Sequence, residues 1–177
     1  GNMEETYQRM REFSRVDAIV PLGVRLISPE EKQRIKARIS GEINFIRAPL
    51  DEPMDKVLAE WLKMINSKLD YLINLWSFKE EGFSSLSTTE VNISGGGMSF
   101  VSDLSYNKGD ILELKVVLES PSTVALYLYG EVVKCQMINN SYNVAVKFIN
   151  IEEDIRDHII RFVFHRQRQL LRQKREI

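Results

Sequence analysis

The chain has 177 residues, of which 44% are hydrophobic, and both values are typical of one globular domain with at most a small appendage. Its 24 lysines and arginines balance 25 aspartates and glutamates, which disfavours a protein that holds duplex nucleic acid such as DNA by bulk electrostatics. The single cysteine, Cys135, excludes an intrachain disulfide and a cysteine-based zinc site. No apolar run is long enough for a membrane span and the N-terminus has no signal-type stretch, so we expect a soluble cytoplasmic protein.

The first part of the chain is a charged segment followed by a strand. Residues 4–15 carry six charged side chains in twelve residues, which predicts a mobile N-terminal loop with little reason to pack. Residues 16–27 are apolar and β-branched, as is typical of a strand. Pro21 and Gly23 indicate a bend or an edge position within that strand.

The next segment changes to a helical period. Ser28 and Glu31 have the spacing of a capping box, which predicts a first helix that fades near Ser40. After an ambiguous stretch at residues 42–50, a second helix is predicted over residues 53–78.

The second predicted helix carries an apolar seam with heptad spacing. Its members are Leu58, Leu62, Ile65, Leu69, Leu72 and Trp76. A helix on its own protein's core is one interpretation of this stripe. The regular period of 3.5 favours an intermolecular coiled coil or bundle instead, because packing on a globular core requires only an approximate period of 3.6. We therefore expect a dimer or tetramer that forms through residues 53–78.

The remaining chain predicts several short strands and a last helix. Residues 83–149 have period-two segments separated by turn signals at Gly95–Gly97, Asn107–Asp110, Ser120–Ser122 and Asn139–Asn140. Together with the first strand they predict a mainly β protein, a small antiparallel barrel or sandwich with an inserted α-helical segment. Residues 151–177 predict a C-terminal helix whose amphipathic first half lies on the barrel, and its tail is rich in basic residues.

The sequence contains no recognisable catalytic or metal-binding constellation. The motifs of serine hydrolases, zinc proteases, P-loop proteins and dinucleotide-binding folds are absent from it. Its two histidines, His158 and His165, cannot form a metal site without further ligands. We expect a protein that is not an enzyme and that carries no metal or cofactor.

Two segments carry side chains suited to a ligand. Arg11 and Arg15 form an RxxxR segment directly before the first strand, and arginine suits the planar, bidentate recognition of phosphate and of a guanine edge. Asn92 and Ser94 share one face of a strand end, because side chains alternate with period two, and Gly97 permits close approach of a ligand to the backbone. The alternatives are a charged N-terminal tail and a plain glycine hairpin.

The order of these features resembles the PilZ domain: RxxxR, a strand, an NxSxxG turn between strands of a small barrel, and a C-terminal helix. Gly130–Val133 is similar to the family's GxVV strand, and Tyr142–Phe148 is similar to its final strand. The resemblance implies a PilZ-like barrel of residues 1–28 and 82–177. Residues 29–81 would then be an inserted helical segment for oligomerisation.

PilZ domains are receptors for the bacterial second messenger cyclic di-GMP. The resemblance implies that Arg11 and Arg15 hold the phosphates and the guanine Hoogsteen edges of this ligand. It implies equally that Asn92 and Ser94 hydrogen-bond the ligand, and that Gly97 gives the backbone its approach.

The inserted heptad helix is similar to that of the atypical, helix-containing PilZ subgroup, which oligomerises through such helices. We therefore expect a non-catalytic cyclic di-GMP receptor that couples ligand binding to a conformational or interaction change in a bacterial signalling pathway. A second copy of the chain and an unknown protein effector would be its partners. The alternative is a PilZ-like adaptor that binds protein and not nucleotide, which leaves the two ligand motifs unexplained.

Overall fold

The computed structural model of the protein describes residues 2–40, 55–119 and 123–175. The strands in these ranges are β1 (Val16–Leu26), β2 (Arg38–Ile39), β3 (Thr88–Ile93), β4 (Gly97–Ser102), β5 (Ile111–Leu118), β6 (Val124–Ile138) and β7 (Ser141–Ile149). The helices are α1 (Asn2–Phe13), α2 (Lys56–Glu80) and α3 (Glu153–Arg175), and 3-10 turns cover Glu31–Gln33 and Phe83–Ser85. The predicted turn at Ser120–Ser122 and the ambiguous stretch at residues 42–50 lie outside the described residues.

The strands form a closed antiparallel barrel, which confirms the predicted fold class. Its order is β6-β5-β1-β3-β4-β7, and β7 pairs again with β6, while the short β2 adds to the first half of β6. Closure leaves no long unpaired edge. β1 pairs with β3 up to Pro21 and with β5 from Leu22 onwards. The bend predicted at Pro21 therefore coincides with this change of partner.

The barrel encloses the main hydrophobic core, and α3 contributes to it. Alternate residues of every long strand point inwards, so that side chains such as Ile93, Leu114 and Val144 are fully buried. The first half of α3 adds Ile155 and Ile159 among others to the same cluster. The prediction that this amphipathic half lies on the barrel is confirmed.

A second apolar cluster lies on the outside of β5 and β6. It contains Ile27, Phe83 and Tyr127, with Phe78 from the end of α2 packed against it. The phenol ring of Tyr127 meets the ring of Phe83 edge-on, with 5.2 Å between the centroids. This cluster fastens the base of α2 to the barrel.

The predicted first helix after Ser28 is wrong. Only one 3-10 turn forms, and residues 35–40 extend along the barrel instead, where the amide of Ala37 donates to the carbonyl of Asn150 and the amide of Ser40 donates to that of Ala125. The Glu31 carboxylate forms an ion pair with Arg25 at 3.1 Å. These contacts with other strands outweigh the capping signal, as tertiary context commonly does.

The predicted second helix is confirmed as α2, which ends two residues later than expected. Asp55 caps it, since its Oδ1 accepts from the amide of Val57 at 3.0 Å. Pro53, the predicted start, lies outside the described residues. No residue of α2 is buried, and the six seam residues are between 47% and 67% exposed. The helix therefore leaves the barrel with its apolar stripe uncovered in the single chain.

The prediction of an N-terminal loop is also wrong, because residues 2–13 form α1. The acidic Glu4 and Glu5 lie in its first turn and the basic Arg11 in its last, which matches the helix dipole. A segment with many charges can thus be helical although none of its residues is buried. No residue of α1 is buried, and its apolar Tyr7 is 65% exposed.

Candidate functional site

The two ligand motifs meet at the outer surface of β1 and β3. Arg15 lies directly before β1, and its Nε donates to Oδ1 of Asn92, while its Nη2 lies 3.4 Å from the backbone carbonyl oxygen of Asn92. Asn92 Nδ2 donates in turn to Oδ1 of Asp17 at 2.8 Å. Asp17 and Asn92 are register partners, so their side chains leave the same outer face. The fold therefore joins Arg15 to a residue 77 positions further along the chain.

Arg11, the other arginine of the RxxxR segment, is directed to α3. Its Nη2 forms an ion pair with Oδ1 of Asp157 at 3.2 Å, and both side chains remain partly exposed. Glu12, the next residue, lies against the turn that follows β3, where Gly96 is its neighbour. The end of α1, the start of α3 and the glycine turn thus form one surface beside Asn92.

Ser94 does not share the outer face with Asn92, and that interpretation is wrong. Ser94 is only 1% exposed, and its Oγ accepts from the amides of Gly96 and Gly97, both at 3.2 Å. The chain leaves the strand alternation after Ile93, so the serine turns inwards and closes the tight loop. Its role in ligand binding stays a prediction.

Gly97 has a structural reason to be glycine. A Cβ atom on it would overlap the backbone carbonyl oxygen of Val146, because β4 and β7 approach each other closely there. In the described residues the glycines with positive φ are Gly82 and Gly109, so the three turn glycines do not use the left-handed region. Whether Gly97 also admits a ligand stays a prediction.

A cleft runs along this surface between the β1–β3 face and the distal half of α3. Its two parts have volumes of about 610 Å³ and 400 Å³, and Asp17, Asn92 and Leu170 line both. Arg15 and Lys174 line the smaller part, whereas Glu90 and Arg166 are among the residues lining the larger. Together the parts offer a space of the size that small-molecule ligands occupy, open to solvent and lined by charges of both signs.

Sequence reasoning missed the contributions of α3 and of Asp17 to this cleft. The signal for α3 was the basic tail after Arg161, whose role the sequence left unassigned. The signal for Asp17 is its strand register with Asn92, which becomes available only when β1 and β3 are paired.

A buried polar cluster lies elsewhere, on the outside of β5 and β6. Glu113 is 8% exposed and accepts hydrogen bonds from the hydroxyl of Tyr129 at 2.9 Å and from Nη2 of Arg25 at 3.0 Å. The hydrogen bond to Glu113 raises the pKa of Arg25 above its ordinary value, and burial raises the pKa of Tyr129. The Glu113 carboxylate thus has its hydrogen-bond donors within the chain, and these bonds connect β5 to β1 and β6.

Across the described part of the chain, no group of three or more His, Cys, Asp or Glu side chains could hold a metal ion. Among the helices of that part, none is long and apolar enough to cross a membrane.

Comparisons with known proteins identify the family. The family model of the PilZ domain matches residues 74–165, which is more than half of the chain. A search of curated proteins finds no match.

Two solved structures are similar to this chain. One is a protein from Xanthomonas campestris, described as a tetrameric PilZ domain self-assembled via an unusual helical bundle. It has 14% identity and a TM-score of 0.58, covering 94% of this chain and 96% of its own. The other is the PilZ domain of YcgR from Escherichia coli with c-di-GMP, with 13% identity and a TM-score of 0.40, covering 52% of this chain and 82% of its own. The fold agrees with that of the Xanthomonas campestris protein, and the family match over more than half of the chain shows that this chain belongs to the PilZ domain family.

Proposed function

We propose that this protein is a non-catalytic receptor for cyclic di-GMP that acts in the cytoplasm of a bacterium. The observation that carries the proposal is the contact between Arg15 and Asn92, which joins the two ligand motifs of the family at an open cleft. Membership of a family of cyclic di-GMP receptors supports the choice of ligand.

The chemistry of the cleft suits this dinucleotide. The Arg15 guanidinium can donate two parallel hydrogen bonds to a phosphate or to the O6/N7 edge of guanine. Asn92 and Asp17 present an amide and a carboxylate next to it, and a carboxylate accepts from the N1–H and the exocyclic amine of guanine. The ligand would replace the contacts that Arg15 and Asn92 now make with each other.

Ligand binding would also disturb the contact between α1 and α3. For Arg11 to reach the ligand it must leave Asp157, and their partly exposed ion pair contributes only about 0–1 kcal/mol. A weak pair is easily exchanged for a charge-assisted bond to phosphate. We propose that this exchange shifts α1 relative to α3 and so transmits binding to an effector protein.

The proposed receptor assembles through α2. Its seam is exposed along the whole helix, whereas helices in proteins gain most of their stability by packing such an apolar face. The tetrameric assembly named for the Xanthomonas campestris protein supports a second copy as the occupant.

A protein-interaction adaptor that does not bind nucleotide is the second candidate. The observation that favours it is the buried Ser94, whose hydroxyl is already used by the turn. This reading leaves the Arg15–Asn92 contact without a purpose beyond fastening the N-terminal segment.

Calorimetric titration with cyclic di-GMP tests the proposal. We expect binding by the unmodified protein and at least tenfold weaker binding by Arg15→Ala, because a charge-assisted contact typically contributes about 1.5–3 kcal/mol. Arg34→Ala is the matched control, since Arg34 is exposed and lines a separate pocket. Absence of any binding by the unmodified protein would refute the receptor and favour the adaptor.

A further inference from the structure

The distal half of α3 extends the protein beyond the residues that the family model matches. That match ends at His165, whereas α3 continues to Arg175. Leu170 packs against the barrel core, which fixes this extension on the β1–β3 face. Gln167 Nε2 donates to the backbone carbonyl of Arg15 at 3.0 Å, so the extension also holds the segment that carries the site arginine.

Lys174 lies on the same face of α3 as these two anchors. Residues 167, 170 and 174 are separated by three and four positions, and helix residues with this spacing lie above one another. The anchors therefore direct Lys174 towards the sheet. It lines the smaller part of the cleft from α3, and Arg15 lines the same part from the position directly before β1.

The charged side chains that line the smaller part of the cleft favour the binding of an anion. Arg15 and Lys174 face it with only Asp17 as a lining carboxylate, and Asp17 already accepts from Asn92. Within the described ranges, neither Arg15 nor Lys174 belongs to an ion pair. Two cations on different elements that line one space, one a planar guanidinium and one a compact ammonium, suit the oxygens of a phosphate.

We propose that Lys174 binds a phosphate of the nucleotide opposite Arg15, so that the C-terminal extension of α3 is a wall of the ligand site. This inference rests on the proposed function. It assigns a residue that the ligand motifs do not contain and gives a purpose to the basic extension. Arg168 and Arg172, which do not line the cleft, are the solvated charges of the same helix.

Calorimetry on the full chain tests the inference with Lys174→Ala, Lys174→Arg and Arg172→Ala. Arg172→Ala removes the same charge from an exposed position two residues away. It therefore controls for the effect of losing one positive charge near the cleft without losing a contact to the ligand. We expect Lys174→Ala to weaken cyclic di-GMP binding about five- to tenfold, and Lys174→Arg and Arg172→Ala to stay within about twofold. The loss should shrink at high salt, because the contact is partly exposed.

The same titrations with cyclic di-AMP and GMP separate the two proposals. Equal affinities of Lys174→Ala and Arg172→Ala for cyclic di-GMP would overturn the inference and leave the receptor intact. If the protein bound only cyclic di-AMP or GMP, and Lys174→Ala weakened that binding, the proposed ligand would be overturned. The inference that Lys174 binds a phosphate would be supported. Failure of all three nucleotides to bind the unmodified protein would overturn both.

Discussion

Gly97 is the residue whose substitution best separates packing from ligand binding. A methyl group there would meet the carbonyl oxygen of Val146, which belongs to the backbone and cannot turn away. At Gly96 the nearest atom would lie at 3.6 Å, an ordinary contact with the flexible Glu12 side chain. We expect Gly97→Ala to destabilise the fold by about 1–3 kcal/mol or more, and Gly96→Ala to cost well under 1 kcal/mol.

Urea denaturation of both glycine variants without ligand provides the measurement. If the two variants were equally stable and only Gly97→Ala lost nucleotide affinity, Gly97 would serve the ligand and the structural account would fail.

Tyr127 makes the free energy of unfolding depend on pH in the alkaline range. Burial, followed by a hydrogen bond to Glu81, raises the pKa of its phenol to about 12, above the ordinary value of 10.0. The folded state therefore favours the neutral phenol. This contribution is complete below about pH 10 and is lost as the pH rises towards 12.

Denaturation curves of the unmodified protein and Tyr127→Phe between pH 8 and about pH 11.5 measure this contribution. Tyr127→Phe should lose less stability over that range, because a phenylalanine cannot ionise. Parallel curves would show that Tyr127 has an ordinary pKa.

At the scale of single elements, α2 is the helix through which the proposed assembly would form. Leu62→Asp with Leu69→Asp adds two charges to its seam, and an unpaired charge in a buried interface costs several kcal/mol. We expect light scattering to show an oligomer for the unmodified protein and a monomer for this double variant. Met64→Asp with Tyr71→Asp is the matched control, since it replaces two exposed apolar residues, also seven apart, that lie off the seam.

The control variant should remain an oligomer. If the unmodified protein were a monomer at tens of micromolar, the proposed assembly would be refuted. The apolar seam of α2 would then not be covered by a second copy of the chain.

The sequence correctly predicted those elements in which contact with a single neighbouring surface determines the spacing of the apolar residues. The alternation of β7 and the heptads of α2 were sufficient, because one face of β7 contacts the core and one face of α2 carries the seam for the expected partner. The capping box at Ser28 led to a wrong prediction, because the amides of Ala37 and Ser40 hydrogen-bond to residues far along the chain, Asn150 just after β7 and Ala125 in β6. Local signals cannot include such partners.

The candidate site could be predicted from the sequence only where a residue belongs to a recognisable motif. Arg15 and Asn92 were found because each belongs to a short motif, and the structure brings them into contact. Ser94 was assigned to the wrong face because the alternation ends at Ile93. Lys174 has no motif, and only the packing of Leu170 reveals its position.

At the scale of the whole molecule, ligand binding and assembly should be separable. The cleft is lined by β1, β3, β4, β7 and α3 of one chain, and α2 contributes no residue to it. We expect the monomeric Leu62→Asp/Leu69→Asp variant to bind cyclic di-GMP within about twofold of the unmodified protein, as calorimetry would measure. A loss of tenfold or more would mean that a second copy completes the site.

The hydrogen bond between Gln167 and Arg15 joins residues 152 positions apart, and this span has a consequence for biosynthesis. A ribosome that has made β1 and β3 has produced Arg15 and Asn92, but not the helix that closes the cleft. At the usual 5–20 residues per second, the stretch between Asn92 and Gln167 takes roughly 4–15 s to synthesise. During that interval the nascent chain has Arg15 and Asn92 without their far wall. If the proposed function holds, the chain therefore acquires competence for the messenger late, when the last helix docks.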